Sequence, residues 1–214
     1  MLKISVATAV AVLAGSAVAG PVLGDHSTYR QISAENISMI SLDEGTQGAV
    51  SSIYSNMDSG TGFVAFPAGN GVLGADDYVS TASGSATLES LRFVGGSEQV
   101  GGVLAFDFFN AAGDTFIDGF TVALPSAGNF IWTITLGGVV TVDAAGILQI
   151  STDATSTGQW FLADAGPTVG SEDVNAFGGG DGVNSHNFEL NVIPTPGALS
   201  LLGMGGLLAA RRRR

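Results

Sequence analysis

The chain has 214 residues, no cysteine, 32 glycines, and 19 acidic against 7 basic residues, a formal net charge of −12. That length fits one domain with appendages; the 45% hydrophobic content with 12 phenylalanines excludes wholesale disorder, and glycine at about twice its usual ~7% without a three-residue period excludes collagen. Only Arg30 and Arg92 lie with the 19 acids between Gly20 and Ile193, so that body carries −17, and nucleic acid is excluded as a partner because counterion release needs cations on the protein.

Lys3 gives the N-terminus its positive charge, Ile4 to Val18 is apolar apart from small residues, and Ala17-Val18-Ala19 places small side chains before Gly20. The pattern predicts a secretory signal peptide over 1–19, cleaved between Ala19 and Gly20, with the Sec machinery and signal peptidase as partners. A membrane anchor is the alternative, but about fifteen apolar residues fall short of the ~20 that span a bilayer. Export permits disulfides and none can form, so the body must hold by burial and hydrogen bonding.

From Gly20 to about Thr46 periodicity is weak, and Ile32, Ile37, Met39, Ile40 and Leu42 fit an irregular strand or a short helix. Beyond that the period becomes two. Strands are predicted at Thr61–Phe66, Ala86–Val94, Val103–Asn110 with Leu104, Phe106 and Phe108 on one face, and Thr115–Leu124 with Phe116, Phe120, Val122 and Leu124 on one face. They continue at Asn129–Leu136 with Phe130, Trp132 and Ile134 inward, then Val139–Val142, Gly146–Ser151, Gly158–Ala163 and Asn187–Val192. Gly95-Gly96, Gly101-Gly102, Gly137-Gly138 and Gly178-Gly179-Gly180 are read as turns between strands. About ten short strands without a long helix between them predict an antiparallel sandwich or barrel, not a parallel α/β sheet.

The C-terminus runs Val192-Ile193-Pro194-Thr195-Pro196, then an apolar stretch from Gly197 to Ala210, then Arg211, Arg212, Arg213 and Arg214. The prolines end any preceding strand. The run is short for a permanent span, and the arginines fit retention on the cytoplasmic side of a transient anchor. This order of elements resembles the PEP-CTERM sorting signal of exported bacterial proteins, also described as the ice-binding protein C-terminal domain, in which Pro-Glu-Pro precedes a short transmembrane helix and an arginine cluster. Thr195 stands where that family usually has glutamate. The resemblance implies an exosortase, a membrane cysteine protease, as partner, transient anchoring in the inner membrane, and delivery to the cell surface or extracellular polysaccharide. An ordinary C-terminal membrane anchor is the alternative.

The stretch from Asp76-Asp77-Tyr78 through Phe93-Val94-Gly95-Gly96, Phe106-Asp107-Phe108-Phe109 and Leu124-Pro125 to Trp160-Phe161-Leu162 resembles the ectodomain often attached to this tail in planctomycete-type bacteria. It favours an all-β, jelly-roll-like antiparallel sandwich over residues 20–192, between the signal helix of 1–19 and the sorting tail of 193–214, and implies no activity.

Candidate chemistry is sparse. His26 and His186 lie in polar, loop-like stretches and read as solvated. Asp107, Asp114 and Asp118 are acids near strand ends that a polysaccharide hydrolase could pair, yet none sits in a catalytic motif. Calcium would find oxygen-rich groups on predicted loops at Asp76-Asp77, Asp107-x-x-Asn110-x-x-x-Asp114, Glu172-Asp173 and Asp181-x-x-Asn184. Acids that cap turns and keep the chain soluble explain the same groups without a metal. Trp132, Trp160, Tyr54 and Tyr78 are the rings a sugar would stack on; Trp132 sits in an inward set, and of adjacent Trp160 and Phe161 one must face out. The expectation is an exported, non-catalytic surface or matrix protein without a cofactor; the alternatives are a carbohydrate-binding module, calcium-dependent in one form, and a polysaccharide hydrolase.

Overall fold

The structure, a computed structural model, describes residues 26–42, 51–57, 63–64, 71–153, 155–163, 166–172 and 185–193. Ala17, Ala19, Gly20, Pro194, Thr195, Pro196 and Arg211 to Arg214 lie outside these residues, as do Asp173, Asp181 and Asn184. Among the described residues no helix is long and apolar enough to cross a membrane.

The strands, in chain order, are β1 (Arg30–Ile32), β2 (Ile37–Ile40), β3 (Ser52–Ser55), β4 (Phe63–Val64), β5 (Val72–Val79), β6 (Ala86–Ser97), β7 (Val103–Asn110), β8 (Phe116–Ala123), β9 (Gly128–Val142), β10 (Ala145–Thr152), β11 (Gly158–Trp160), β12 (Leu162–Ala163) and β13 (Phe188–Val192). One sheet runs β1-β8-β7-β10-β5 and the other β2-β9-β6-β13-β3, with β11 added against β6 and a small pair β12-β4 beside them. All pairings are antiparallel except β1 with β8. From β5 to β10 the chain changes sheet at every step except the hairpin between β7 and β8. The described residues form an all-β sandwich.

Alternation builds its core. Leu104, Phe106 and Phe108 of β7 pair in register with Val122, Phe120 and Asp118 of β8, and Leu148 and Ile150 of β10 continue that face. Opposite them stand Leu91 and Phe93 of β6, Trp132 and Ile134 of β9, and Phe188 and Leu190 of β13. Phe106 stacks on Phe120 with centroids 4.8 Å apart and meets Phe93 edge-on at 5.2 Å. Burying each such side chain contributes about 1.5–3 kcal/mol. Trp132 is inward as its alternation predicts, and its indole Nε1–H donates to Gly95 O at 2.8 Å.

Two glycine pairs read as turns lie inside strands. Residues 129–136 and 139–142 form one strand, β9, in which Gly137 and Gly138 take φ +58° and +80° while the β6 register slips between Leu88 and Ser90. The pair makes a bulge, where positive φ favours glycine. Gly95 and Gly96 sit within β6, where a methyl group would overlap the carbonyl oxygens of Gln159 and Gly128. These positions need glycine for close backbone approach, not for a turn.

Short segments lie along both open sides of the sandwich, and short edge strands limit pairing with other chains. On one side the N-terminal segment lays β1 along β8, makes a 3-10 turn at Ala34–Asn36, and lays β2 along β9. On the other, Val169 exchanges backbone hydrogen bonds with Ser55 at the end of β3, and Ser171 with Val79 at the end of β5.

Candidate functional site

The acids and histidines separate into three settings. The first is the turn. Asn110 Nδ2 donates to Asp114 Oδ1 at 2.8 Å and Asn110 Oδ1 accepts from the Asp114 and Thr115 N–H groups, while Asp153 Oδ1 accepts from the N–H groups of Thr155 and Ser156. These carboxylates hold turns. Among the described residues no group of three or more His, Asp or Glu side chains is arranged to hold a metal.

The second setting is the sandwich interior, and it corrects two sequence expectations. Asp76 and Asp77 are on strand β5, not on a loop, and His186 is buried, not solvated. Pairing with β10 places Gly74, Asp76 and Tyr78 opposite Ile150, Leu148 and Gly146, so Asp76 shares the inner face. The His186 ring fills the space left by the missing side chain of Gly74 and lies 4.1 Å from the Trp160 ring, centroid to centroid. Asp76 Oδ2 accepts the His186 backbone N–H at 2.5 Å and stands 4.0 Å from its Nδ1. Burial pushes the Asp76 carboxyl well above the usual carboxylate range, and the charges of Glu172 and Asp77 add to this against the hydrogen bond from His186. Burial pulls the His186 imidazole down to about 4. Burial, with Asp76 and Glu172 beside it, raises Tyr54.

The rings named for sugar stacking are all within this packing. Trp132, Trp160, Tyr54 and Tyr78 are at most 1% exposed. Trp160 is the inward member of its pair, with its Nε1–H donating to Asn187 O at 3.1 Å. Phe161, the outward member, is covered too, in a second apolar cluster with Met57, Val94 and Ile131. The outward platform expected of that pair is absent.

The third setting is an open cleft of about 330 Å³ at the edge formed by β1 and β8, lined by Thr28, Tyr29, Arg30, Phe116, Asp118 and Gly119. Phe116, expected on one face with Phe120, instead lines the cleft. A bulge at Ile117 causes this: Phe108 pairs with Asp118 but Phe109 pairs with Phe116, so the strand gains a residue and Phe116 changes face. The Phe116 ring stacks on Tyr29 at 5.6 Å and 28°. Tyr29 is held from below by Asp107, which sits mid-strand on the outer face of β7 and not on a loop: the phenol hydrogen-bonds its carboxylate, and burial followed by that bond raises the phenol well above the ordinary tyrosine range. His26 Nε2 stands 3.3 Å from Asp107 Oδ2. Gly119 forms the floor; a Cβ there would meet Tyr29 Cε2 at 2.9 Å and Asp107 Oδ1 at 3.1 Å.

The polar groups at the rim are fixed in place. Arg30 Nη1 donates to Val139 O at 2.7 Å, and Asp118 accepts from Gly119 N through Oδ1 at 2.8 Å and from Thr141 N through Oδ2 at 3.0 Å. No family model, curated protein or solved structure matches this chain. Of the three acids considered for a hydrolase, Asp107 and Asp118 come to this edge, one beneath the floor and one at the rim, while Asp114 caps its turn. Sequence reasoning missed Tyr29 and Phe116. Nothing in the alternation of Phe116, Asp118 and Phe120 announces the bulge, which leaves Asp118 on the Phe120 face and turns Phe116 to the other.

Proposed function

We propose that this is an exported cell-surface or extracellular-matrix protein, sorted by a PEP-CTERM and exosortase-type system, whose sandwich has a structural or interaction role and not a catalytic one. The observation that carries the reading is the pairing in one chain of a small-x-small cleavage pattern at Ala17 and Ala19 with the Pro194-Thr195-Pro196, apolar and Arg211 to Arg214 order. Its support from the fold is the boundary: β13 ends at Val192 and Ile193 is already 44% exposed, where the tail is expected to begin. The non-catalytic reading draws on the Asp76 and His186 pair, whose proton affinities are perturbed within the packing between sheets instead of in a cleft.

We read the connectivity as a jelly roll, because β3-β13-β6-β9 and β5-β10-β7-β8 follow the strand order of two interleaved Greek keys. That fold presents binding surfaces in many unrelated proteins and assigns no ligand by itself. Deleting residues 193–214 tests the sorting claim in a host that has an exosortase. Loss of surface delivery is expected, and unchanged delivery overturns it. Mass spectrometry of the mature protein should give a new N-terminus at Gly20 and a C-terminus near Pro194 to Pro196.

A further inference from the structure

We propose that the cleft between β1 and β8 binds a neutral sugar unit of an extracellular polysaccharide, with the apolar face of the sugar ring on Phe116 and its hydroxyls on Arg30 and Asp118. The ligand's source rests on the exported reading above; the binding itself does not.

Three independent features point to a ligand. Phe116 is the exposed phenylalanine among the described residues, at 46%, and the bulge at Ile117 turns it out of a strand whose neighbours Phe120 and Val122 are fully buried. Bulges recur beside binding sites because they re-aim one side chain without disturbing the sheet. Second, the ring is held before any ligand arrives. It stacks on Tyr29, Tyr29 is tied to buried Asp107, and Gly119 leaves the space in which Tyr29 lies. Third, Arg30 and Asp118 line the same cleft and are each anchored by backbone partners on β9, Val139 O and Thr141 N, so a fixed donor and a fixed acceptor stand at its rim. A guanidinium that spends one N–H on a carbonyl keeps other donors, and a carboxylate keeps lone pairs beyond those that accept two N–H groups. Fixed groups lose little freedom on binding.

Charge selects among the ligands this geometry admits. The body carries −17, and Asp118 at the rim with Asp107 under the floor repel a uronate, a phosphate or a sulfate more than the single Arg30 attracts one. An uncharged polyol takes both a donor and an acceptor and meets no repulsion. An apolar peptide would leave Asp118 and Arg30 facing a surface that cannot bond them. The cleft volume of about 330 Å³ is at the lower end of small-molecule sites and suits one or two sugar rings.

The test uses the full chain in a detergent without a sugar headgroup, titrated with neutral gluco-, galacto- and manno-tetrasaccharides, an oligouronate and a proline-rich decapeptide, followed by saturation-transfer NMR and calorimetry. At least one neutral tetrasaccharide should bind in the millimolar range or tighter. Phe116→Ala should weaken it about tenfold, Phe116→Trp should retain it, and Asp118→Asn should weaken it several-fold. Val100→Ala, at a 72% exposed apolar residue beyond the opposite end of β7, should leave it unchanged, and each variant's thermal midpoint checks folding. The proposal is overturned if no neutral saccharide binds, if Phe116→Ala binds like the parent, or if the oligouronate or the peptide binds the cleft more tightly. None of these outcomes bears on tail-dependent sorting, which the deletion of 193–214 reads separately.

Discussion

At the scale of single residues the fold sets Asp76 and His186 in opposition. The raised Asp76 carboxyl keeps its proton to higher pH in the folded chain than in the unfolded one, so its contribution is full below the ordinary carboxylate range and is lost as pH rises. The lowered imidazole does the reverse: its contribution is full above 6.5 and is lost as pH falls toward about 4, a loss on the order of 3 kcal/mol. The two partly cancel on acidification. Asp76→Asn removes the compensating group, so its unfolding free energy should fall more steeply than the parent's between pH 6.5 and 4. His186→Phe, which keeps a ring against Trp160 and Gly74, should instead gain stability on acidification relative to the parent. Chemical denaturation at several pH values measures both slopes, and parallel profiles for parent and variants would refute the opposition. Nothing local in Asn184-Ser185-His186-Asn187 announces a buried histidine; its seat is built by Gly74 and Trp160, which are distant in sequence.

At the scale of elements, period two located the strands whose two faces differ most. β7 begins and ends where alternation places it, and β10 and β13 do so to within a residue. β3 and β5 escaped notice because Ser52, Ser55, Asp76 and Asp77 make them polar, and they are strands through pairing with β13 and β10. The glycine pairs were visible, but a turn, a bulge and a close approach all call for glycine, and only the pairing distinguishes them. That distinction has a measurable consequence. Gly138→Ala asks a non-glycine residue to hold φ +80° with Ile193 Cδ1 2.7 Å from the added carbon; a side-chain shift relieves the contact, and the backbone strain leaves a cost of about 1–2 kcal/mol. Gly96→Ala forces a methyl into a backbone carbonyl that cannot move without parting β6 from β9. It should cost about 3 kcal/mol or more. Equilibrium denaturation of the two variants should rank them in that order; equal losses would mean that β6 and β9 yield more easily than their register implies.

At the scale of the whole molecule, the all-β character was legible because alternation, glycine content and the lack of a long helix agree. The segments along both open sides were not, since β1, β2 and Val169 to Ser171 are short and fixed by distant partners. The charge is a property of the whole body as well. Residues 20–193 hold 19 acids and two arginines; among the described residues Arg92 pairs with Glu189 and His26 lies beside Asp107. Arg92 is tied to fully buried Glu189, a pair that salt screens weakly. Most of what salt can reach is therefore repulsion between carboxylates, which compactness makes worse. Because the screening length falls from about 30 Å at 0.01 M to about 8 Å at 0.15 M, the thermal midpoint at neutral pH should climb over that range and flatten above it. Each kcal/mol gained should appear as about 2–4 °C for a chain of this size. A further rise on adding calcium at constant ionic strength is the signature of the calcium-dependent alternative, because screening alone depends only on ionic strength. A midpoint that falls as sodium chloride is added would show that attraction between charges, not repulsion, dominates the folded body.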